Sequence, residues 1–364
     1  MKKKHLLPFI LSAILCLSAC SSTEKNYDTM EIKPFDDVRV LNHEIKSFAA
    51  NTYYPEDIDT FTFNKTSIFE GSEDIAETAL ENGKNPGLGI RALHEQGITG
   101  EGVNVAVIDQ NLLLDHQEYK DRIHEYYDTG CDMPSGQGSM HGPAVVSLLA
   151  GKSTGVAPGA DVYYAAAPSW KADSEYYAKA LEWIVEQNRK LPDGDKIRVV
   201  SISAAPSGSE SPFKYNQELY ENAVESALNE GIMVIDCRVT ESTGFIGLAY
   251  FDRADPDNIK KCKFGWPNMD EAAPEGLIGV PCSFRTVAEC YSPGEQAYAY
   301  WGTGGLSWSI PYAAGVFALG WQINRELSSE TMLDILRQTA YVNRDGSKII
   351  NPVAFVDAVK LTVK

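Results

Sequence analysis

From residue 88 to the C-terminus, short apolar runs rich in Val and Ile alternate with stretches of helical period. The β-rich runs cover 103–108, 161–165, 197–202, 232–235 and 277–280, and helical patterns cover 141–150, 174–189 and 216–230. Within the second helical pattern Tyr177, Leu181, Ile184, Val185 and Asn188 recur every three or four residues, which places them on one face. The β-rich runs lack the polar alternation of a half-exposed strand. Strands apolar on both sides are covered on both sides, so the pattern predicts an α/β fold: a parallel sheet with helices on each face.

The first 86 residues read differently. Met1-Lys-Lys-Lys-His is basic, the apolar run Leu6 to Leu17 is too short to span a bilayer, and Leu17-Ser-Ala-Cys20 offers small residues for cleavage. This is the pattern of a secretory signal over 1–19. Ser21 to Pro86 is polar and acidic; Thr60-Phe-Thr-Phe63 alternates like a short strand, and Ser72 precedes a helical stretch over 73–82 that Gly83 ends. The expected layout is a signal over 1–19, a tether or short propeptide-like region over 20–86, and one domain over 87–364. The longest irregular stretch, 240–275, carries Asp252, Asp255 and Asp257 and reads as a substrate-side loop, a cation site or a solvated acidic loop.

Charge narrows the partners. With 32 basic and 50 acidic side chains the net charge is −18, which argues against nucleic acid, since phosphate contacts need clustered Lys and Arg. Cys16 and Cys20 fall in the signal region, leaving Cys131, Cys237, Cys262, Cys282 and Cys290, an odd number that leaves at least one thiol free within a single chain. Cys262, Cys282 and Cys290 share one irregular region and could form a disulfide, with no pairing assignable. Without a Cys-x-x-Cys, a zinc site is not expected there.

Three segments carry chemistry. Val103-Asn-Val-Ala-Val-Ile-Asp109 is an apolar strand ending in a carboxylate. Met140-His141-Gly142-Pro143 opens a helix on a histidine. Gly305-Leu-Ser307-Trp-Ser-Ile-Pro311 sets a serine at the head of an Ala/Gly-rich helix, with a proline expected in its first turn. A serine hydroxyl needs a base to become a nucleophile, imidazole suits that task, and a carboxylate on the far ring nitrogen fixes the tautomer. Taken singly, Asp109 would close a turn, His141 would be a polar residue at a helix start and Ser307 an N-cap. Together they place three groups at one strand end and two helix N-termini, which an open α/β sheet can bring to its carboxyl edge.

Asp, His, Ser is the chain order of the subtilisin type, and residues 88–364 resemble the subtilisin-like serine peptidase family. Gly305, Ser307, Pro311, Ala314 and Gly315 match the pattern around the nucleophile, His141-Gly142 matches the histidine segment, and Gly155-Val-Ala-Pro matches a strand entry. His141 follows Asp109 by 32 residues, a spacing typical of that family. Leu306, Trp308 and Tyr312 depart from the pattern, and Asp109-Gln-Asn111 stands where the family has Asp-(Ser/Thr)-Gly, so Asn111 is expected to take the glycine's left-handed backbone. The resemblance implies a doubly wound, mostly parallel, subtilisin-like fold. It implies Ser307 as nucleophile, His141 as general base and acid, Asp109 as orienting carboxylate, and Ser203, Ala204 and Ala205 as contacts for substrate backbone. The Ser307 N–H would be one oxyanion donor. The Asn expected to supply the other is missing after Gly231-Ile-Met-Val-Ile-Asp236, leaving Thr240 as a candidate; in subtilisin the loss of that donor costs ~10²–10³ in turnover.

His116 is expected to be structural. Cys20 resembles a lipobox cysteine, implying export and a lipid anchor on the outer face of a bacterial membrane. A peptide or protein substrate, a monomer and no cofactor are expected, a structural calcium having no assignable position. Two rivals remain: a pseudopeptidase that binds peptides on the same fold, and an esterase or acyltransferase, for which a Gly-x-Ser-x-Gly elbow is missing.

Overall fold

The computed structural model describes residues 31–39, 44–132, 138–238, 244–269, 273–289 and 296–363. The chain begins with β1 (Lys46–Phe48), β2 (Thr62–Asn64), β3 (Ser67–Phe69), α1 (Glu73–Asn82) and α2 (Ile90–Glu95). Then come β4 (Asn104–Asp109), β5 (Ile123–Asp128), α3 (His141–Ala150), β6 (Asp161–Ala166), α4 (Glu175–Lys190), β7 (Ile197–Ile202), α5 (Gln217–Asn229) and β8 (Met233–Asp236). The remainder comprises β9 (Ile246–Tyr250), β10 (Lys263–Phe264), β11 (Ile278–Pro281), β12 (Arg285–Glu289), β13 (Ala297–Trp301), α6 (Leu306–Ile323), α7 (Ser329–Thr339), β14 (Tyr341–Val342), β15 (Lys348–Ile349) and α8 (Pro352–Lys360).

Five parallel strands form the central sheet in the order β5-β6-β4-β7-β8. Successive side chains of a strand point to opposite faces, and β4 shows both faces buried. Val105 and Val107 join Ala144, Val145 and Val316 of α3 and α6 in one core, while Ala106 and Ile108 join Leu181, Ile184 and Val224 of α4 and α5 in another. Helices therefore cover both faces, as expected of an α/β fold with a parallel sheet. The chain places β6 on one side of β4 and β7 on the other, so the strand order reverses at β4, and such reversals open a crevice at the carboxyl ends. Among the described residues no helix is long and apolar enough to cross a membrane.

Packing does not divide at residue 87. Strand β2 pairs antiparallel with β13, aligning Phe63 with Tyr300 and Thr62 with Trp301, and adds a third strand to the β12–β13 hairpin. Phe48, Ile58, Phe61, Phe63 and Phe69 are buried in the same core as α3 and α6. Gly302 lies so close to this segment that a Cβ there would run into the Thr60 carbonyl, and its N–H donates to the Phe61 carbonyl at 3.0 Å. The described part of 20–86 thus packs on the main core, with Phe63 facing Tyr300 of β13 across the chain.

The irregular stretch expected over 240–275 contains β9 and β10, and β9 runs parallel to β11. Its carboxylates are engaged: Asp252 and Asp255 meet Lys261 at 3.7 and 3.0 Å, and Asp257 accepts from the distant Gly89 N–H at 2.8 Å.

Candidate active site

Asp109 is the last residue of β4 and His141 the first of α3. The helix start can approach the strand end because residue 142 is glycine: a Cβ there would collide with the Gln110 carbonyl and the Tyr164 hydroxyl. Ser139 fastens the approach, accepting from the Gly142 N–H at 3.0 Å while its own N–H and hydroxyl donate to the Asn111 carbonyl at 2.9 and 3.0 Å. Pro143 occupies the first turn, where a missing N–H costs little. The outcome is a 2.7 Å bond between His141 Nδ1 and Asp109 Oδ1, with side chains 10% and 3% exposed. Sheltered from water, such a bond orients the ring and selects its tautomer.

Ser307 is the second residue of α6, which Gly305 caps from extended backbone. Pro311 therefore falls in the second turn rather than the first, and there it has a definite effect. A helical carbonyl accepts from the N–H four residues on, and the residue four on from Ser307 is proline. The Ser307 carbonyl instead accepts from Ser203 Oγ at 2.8 Å, and Ser307 Oγ donates to the Ser203 carbonyl at 3.2 Å. These reciprocal bonds tie the head of α6 to the end of β7. The residue after the serine, Trp308, lies against the histidine, its ring centroid 5.4 Å from that of His141 at 76°. Asp109 and His141 are thus joined directly, and the serine-bearing turn abuts both the histidine and the end of β7.

The three residues expected to contact substrate backbone follow β7, a strand flanked by β4 and β8 and so without a free edge. Only backbone beyond its end is accessible for added pairing, and its carbonyls already have donors: Ser307 Oγ on Ser203, the Cys237 N–H on Ala204 at 2.9 Å and Ser211 Oγ on Ala205 at 2.6 Å. Thr240, Cys290, Cys20 and the signal segment lie outside the described residues. Asn111 is absent from the residues of positive φ, contrary to expectation, and its carbonyl accepts from the Ser139 N–H and hydroxyl.

His116 is fully buried, its Nε2 3.1 Å from the Ala297 carbonyl and its Nδ1 accepting from the Glu118 N–H at 3.2 Å. Burial holds it below the ordinary imidazole range, so it serves as a neutral structural group. Cys131, Cys262 and Cys282 are free thiols. Burial pushes Cys131 up to about 12 and Cys282 up to about 11, which leaves both unreactive at neutral pH. Among the described residues no group of three or more His, Cys, Asp and Glu could hold a metal.

One feature was missed in the sequence. At the end of β8, Asp236 accepts from Arg238 Nε at 2.7 Å and from the Tyr220 hydroxyl at 2.9 Å, while Arg238 Nη1 donates to Ser207 Oγ at 3.0 Å. Burial raises the Asp236 carboxyl despite these donors. The only sequence signal was a charged pair, Asp236 and Arg238, interrupting the end of an apolar strand.

Comparison with known proteins finds similarity to subtilisin-like proteases. Residues 100–237 match the model of the Subtilase family, a stretch that holds Asp109 and His141 and ends before Ser307. M-protease of Shouchella clausii is 27% identical over 359 residues, covering 92% of this chain and 84% of its own. The subtilisin-like protease PopC of Myxococcus xanthus is 23% identical over 259 residues, and the chain spans about half of that relative, 54%. Among solved structures, the prenylagaramide maturation protease PagA superposes with a TM-score of 0.52 at 17% identity, covering 74% of this chain and 98% of its own. The subtilase cytotoxin SubAB structure gives a TM-score of 0.55 at 14% identity over 76% and 95% of the two chains. At such identities the superpositions establish the subtilisin-like fold, and the family match and curated relatives support a subtilase, and a serine peptidase, for this chain.

Proposed function

We propose that this protein is a serine endopeptidase acting on peptide or protein substrates through Ser307, His141 and Asp109. The observation that carries the reading is the buried 2.7 Å bond from Asp109 to His141 Nδ1. With Nδ1 donating to Asp109, the Nε2 lone pair is the basic site of the ring. His141 would take the Ser307 proton as Oγ adds to the scissile carbonyl, and would then pass it to the departing amine. The acyl-enzyme would be released by water activated at the same nitrogen. Asp109 would stay ionised and stabilise the imidazolium. The Ser307 N–H, in the first turn of α6, would face the oxyanion, with Thr240 the candidate for a second donor and Ser203 to Ala205 flanking the acyl side.

Turnover of a peptide library by the folded protein, lost in Ser307→Ala, is the expected result. Equal product from wild type and S307A would leave a peptide-binding module on the same fold, and turnover confined to simple esters would leave the acyl-transfer reading.

The chemistry of residues 1–20 supports export and lipid attachment at Cys20. The full chain should then partition with membranes, and Cys20→Ser should release it or leave it unprocessed. Wild type recovered wholly in the culture fluid would remove the anchor.

A further inference from the structure

Trp308 directly follows the proposed nucleophile at a position where the chain departs from the pattern it otherwise resembles, and it is 5% exposed. It does not stand alone. Its ring lies 4.6 Å from that of Trp301, at the end of β13, and the Arg39 guanidinium sits 4.2 Å above the Trp301 ring. Arg39 is held in turn by two bonds to Asp37, Nε to Oδ1 at 2.9 Å and Nη2 to Oδ2 at 2.7 Å, and lies 3.8 Å from the buried Glu289 of β12. Glu289 also accepts from Asn64 Nδ2 of β2 at 2.8 Å. A continuous run of ring contacts therefore leads from the N-terminal segment through two indoles to the His141 ring.

We infer that Trp308 is a positioning residue for the His141 imidazole, braced through Trp301 and Arg39 by the N-terminal segment. The inference rests on the peptidase reading. The physical argument is one of degrees of freedom. The bond to Asp109 fixes one nitrogen of the ring but leaves rotation about that bond, and a bulky ring packed edge-to-face removes it. An indole on this side also keeps water from the Asp109–His141 bond, where competing solvent would weaken it. Trp308 can do this only if its own ring cannot swing away, and the Trp301–Arg39 stack occupies the space behind it. A misplacement of about 1 Å at a catalytic group costs on the order of 10²-fold in rate, so a wall of this kind is a kinetic feature as well as a packing one.

The test uses the full chain and two readouts: the rate of Ser307 phosphonylation by a fluorophosphonate, and the low-field proton NMR signal of His141 Nδ1–H. Trp308→Ala should slow labelling on the order of 10- to 10²-fold and broaden the proton signal through faster exchange with water. Trp308→Phe should recover most of the rate, because it keeps the wall and drops only an indole N–H that meets no acceptor among the described residues. Arg39→Lys keeps the charge beside Glu289 but loses the planar stack, and should give a smaller slowing of the same kind. W308A with wild-type rate and signal would overturn the inference, as would W308F as slow as W308A. If W308A fails to fold, W308F and R39K carry the decision: an unaltered proton signal in R39K overturns the brace. If wild type does not label at all, the peptidase reading fails, and the proton signals of wild type, W308F and R39K still decide whether the stack holds the ring.

Discussion

A chain begun at residue 87 will not form a cooperative domain. Removing the preceding segment strips β2 from β13 and exposes the side of Tyr300 that packs on Phe63 with ring centroids 5.3 Å apart. It also removes the Gly83 carbonyl that accepts from the Thr286 N–H at 2.9 Å, and the Leu80 carbonyl that accepts from its hydroxyl at 2.6 Å. Tyr300 is fully buried, and its hydroxyl would lose the Asp59 carbonyl at 2.8 Å. Burying one large apolar side chain contributes ~1.5–3 kcal/mol, and a domain is stable by only ~5–15 kcal/mol. Phe48, Ile58, Phe61, Phe63 and Phe69 together therefore amount to much of the margin. Thermal unfolding followed by circular dichroism should show one sharp transition for residues 31–364 and a broad or absent one for 87–364. A sharp transition of the shorter chain within a few degrees of the longer would support the boundary at 87 and a dispensable propeptide.

That boundary illustrates what the sequence makes legible. Strands β4, β6, β7, β8 and β11 lie within a residue of the apolar runs that predict them, because a strand buried on both faces leaves an unbroken signal. Helices α4 and α5 were equally plain, since a sheet-facing stripe has to repeat every three or four residues, whereas α3, buried on all sides, showed as a nearly continuous apolar run. The N-terminal segment gives only a short alternation over 60–63 and a helical stretch over 73–82. Phe48, Phe61 and Phe63 gather on Phe69, and Phe63 also meets Tyr300 of β13, a pairing that no local period encodes across that distance. Pro311 was misplaced by one turn for a related reason: the helix start depends on Gly305 adopting extended backbone, and the consequence falls on Ser203, 104 residues away. The Asp–His contact was readable as an order of motifs, but its closeness depends on Gly142 meeting Gln110 and Tyr164, which is a matter of packing. Arg238 and Asp236 read as an interruption of a strand; their partner Tyr220 lies on a different element.

Covalent labelling should modify Ser307 and no other residue. A fluorophosphonate forms a P–O bond to a serine oxygen as fluoride leaves and the hydroxyl proton passes to a base, so it reports nucleophile, base and oxyanion site without knowledge of the substrate. In His141→Ala no base remains and labelling should vanish against the background of Ser307→Ala. In Asp109→Asn the geometry survives but the amide can hydrogen-bond the wrong tautomer; the equivalent change in a chymotrypsin-type triad costs ~10⁴ in turnover, and a slowing of that order is expected. The absolute rate carries separate information. Where the strand end would offer an oxyanion donor, this chain has Arg238 committed to Asp236 and Ser207. If nothing else supplies the second donor, wild-type labelling should run ~10²–10³ slower than in a complete site, a magnitude taken from subtilisin, yet still be complete within hours. Rapid labelling would mean that a donor such as Thr240 fills the role, and Thr240→Val should then restore the slow rate. Folded wild type that labels no faster than S307A would remove the nucleophile, and the buried Asp109–His141 pair would then belong to a peptide-binding fold without turnover.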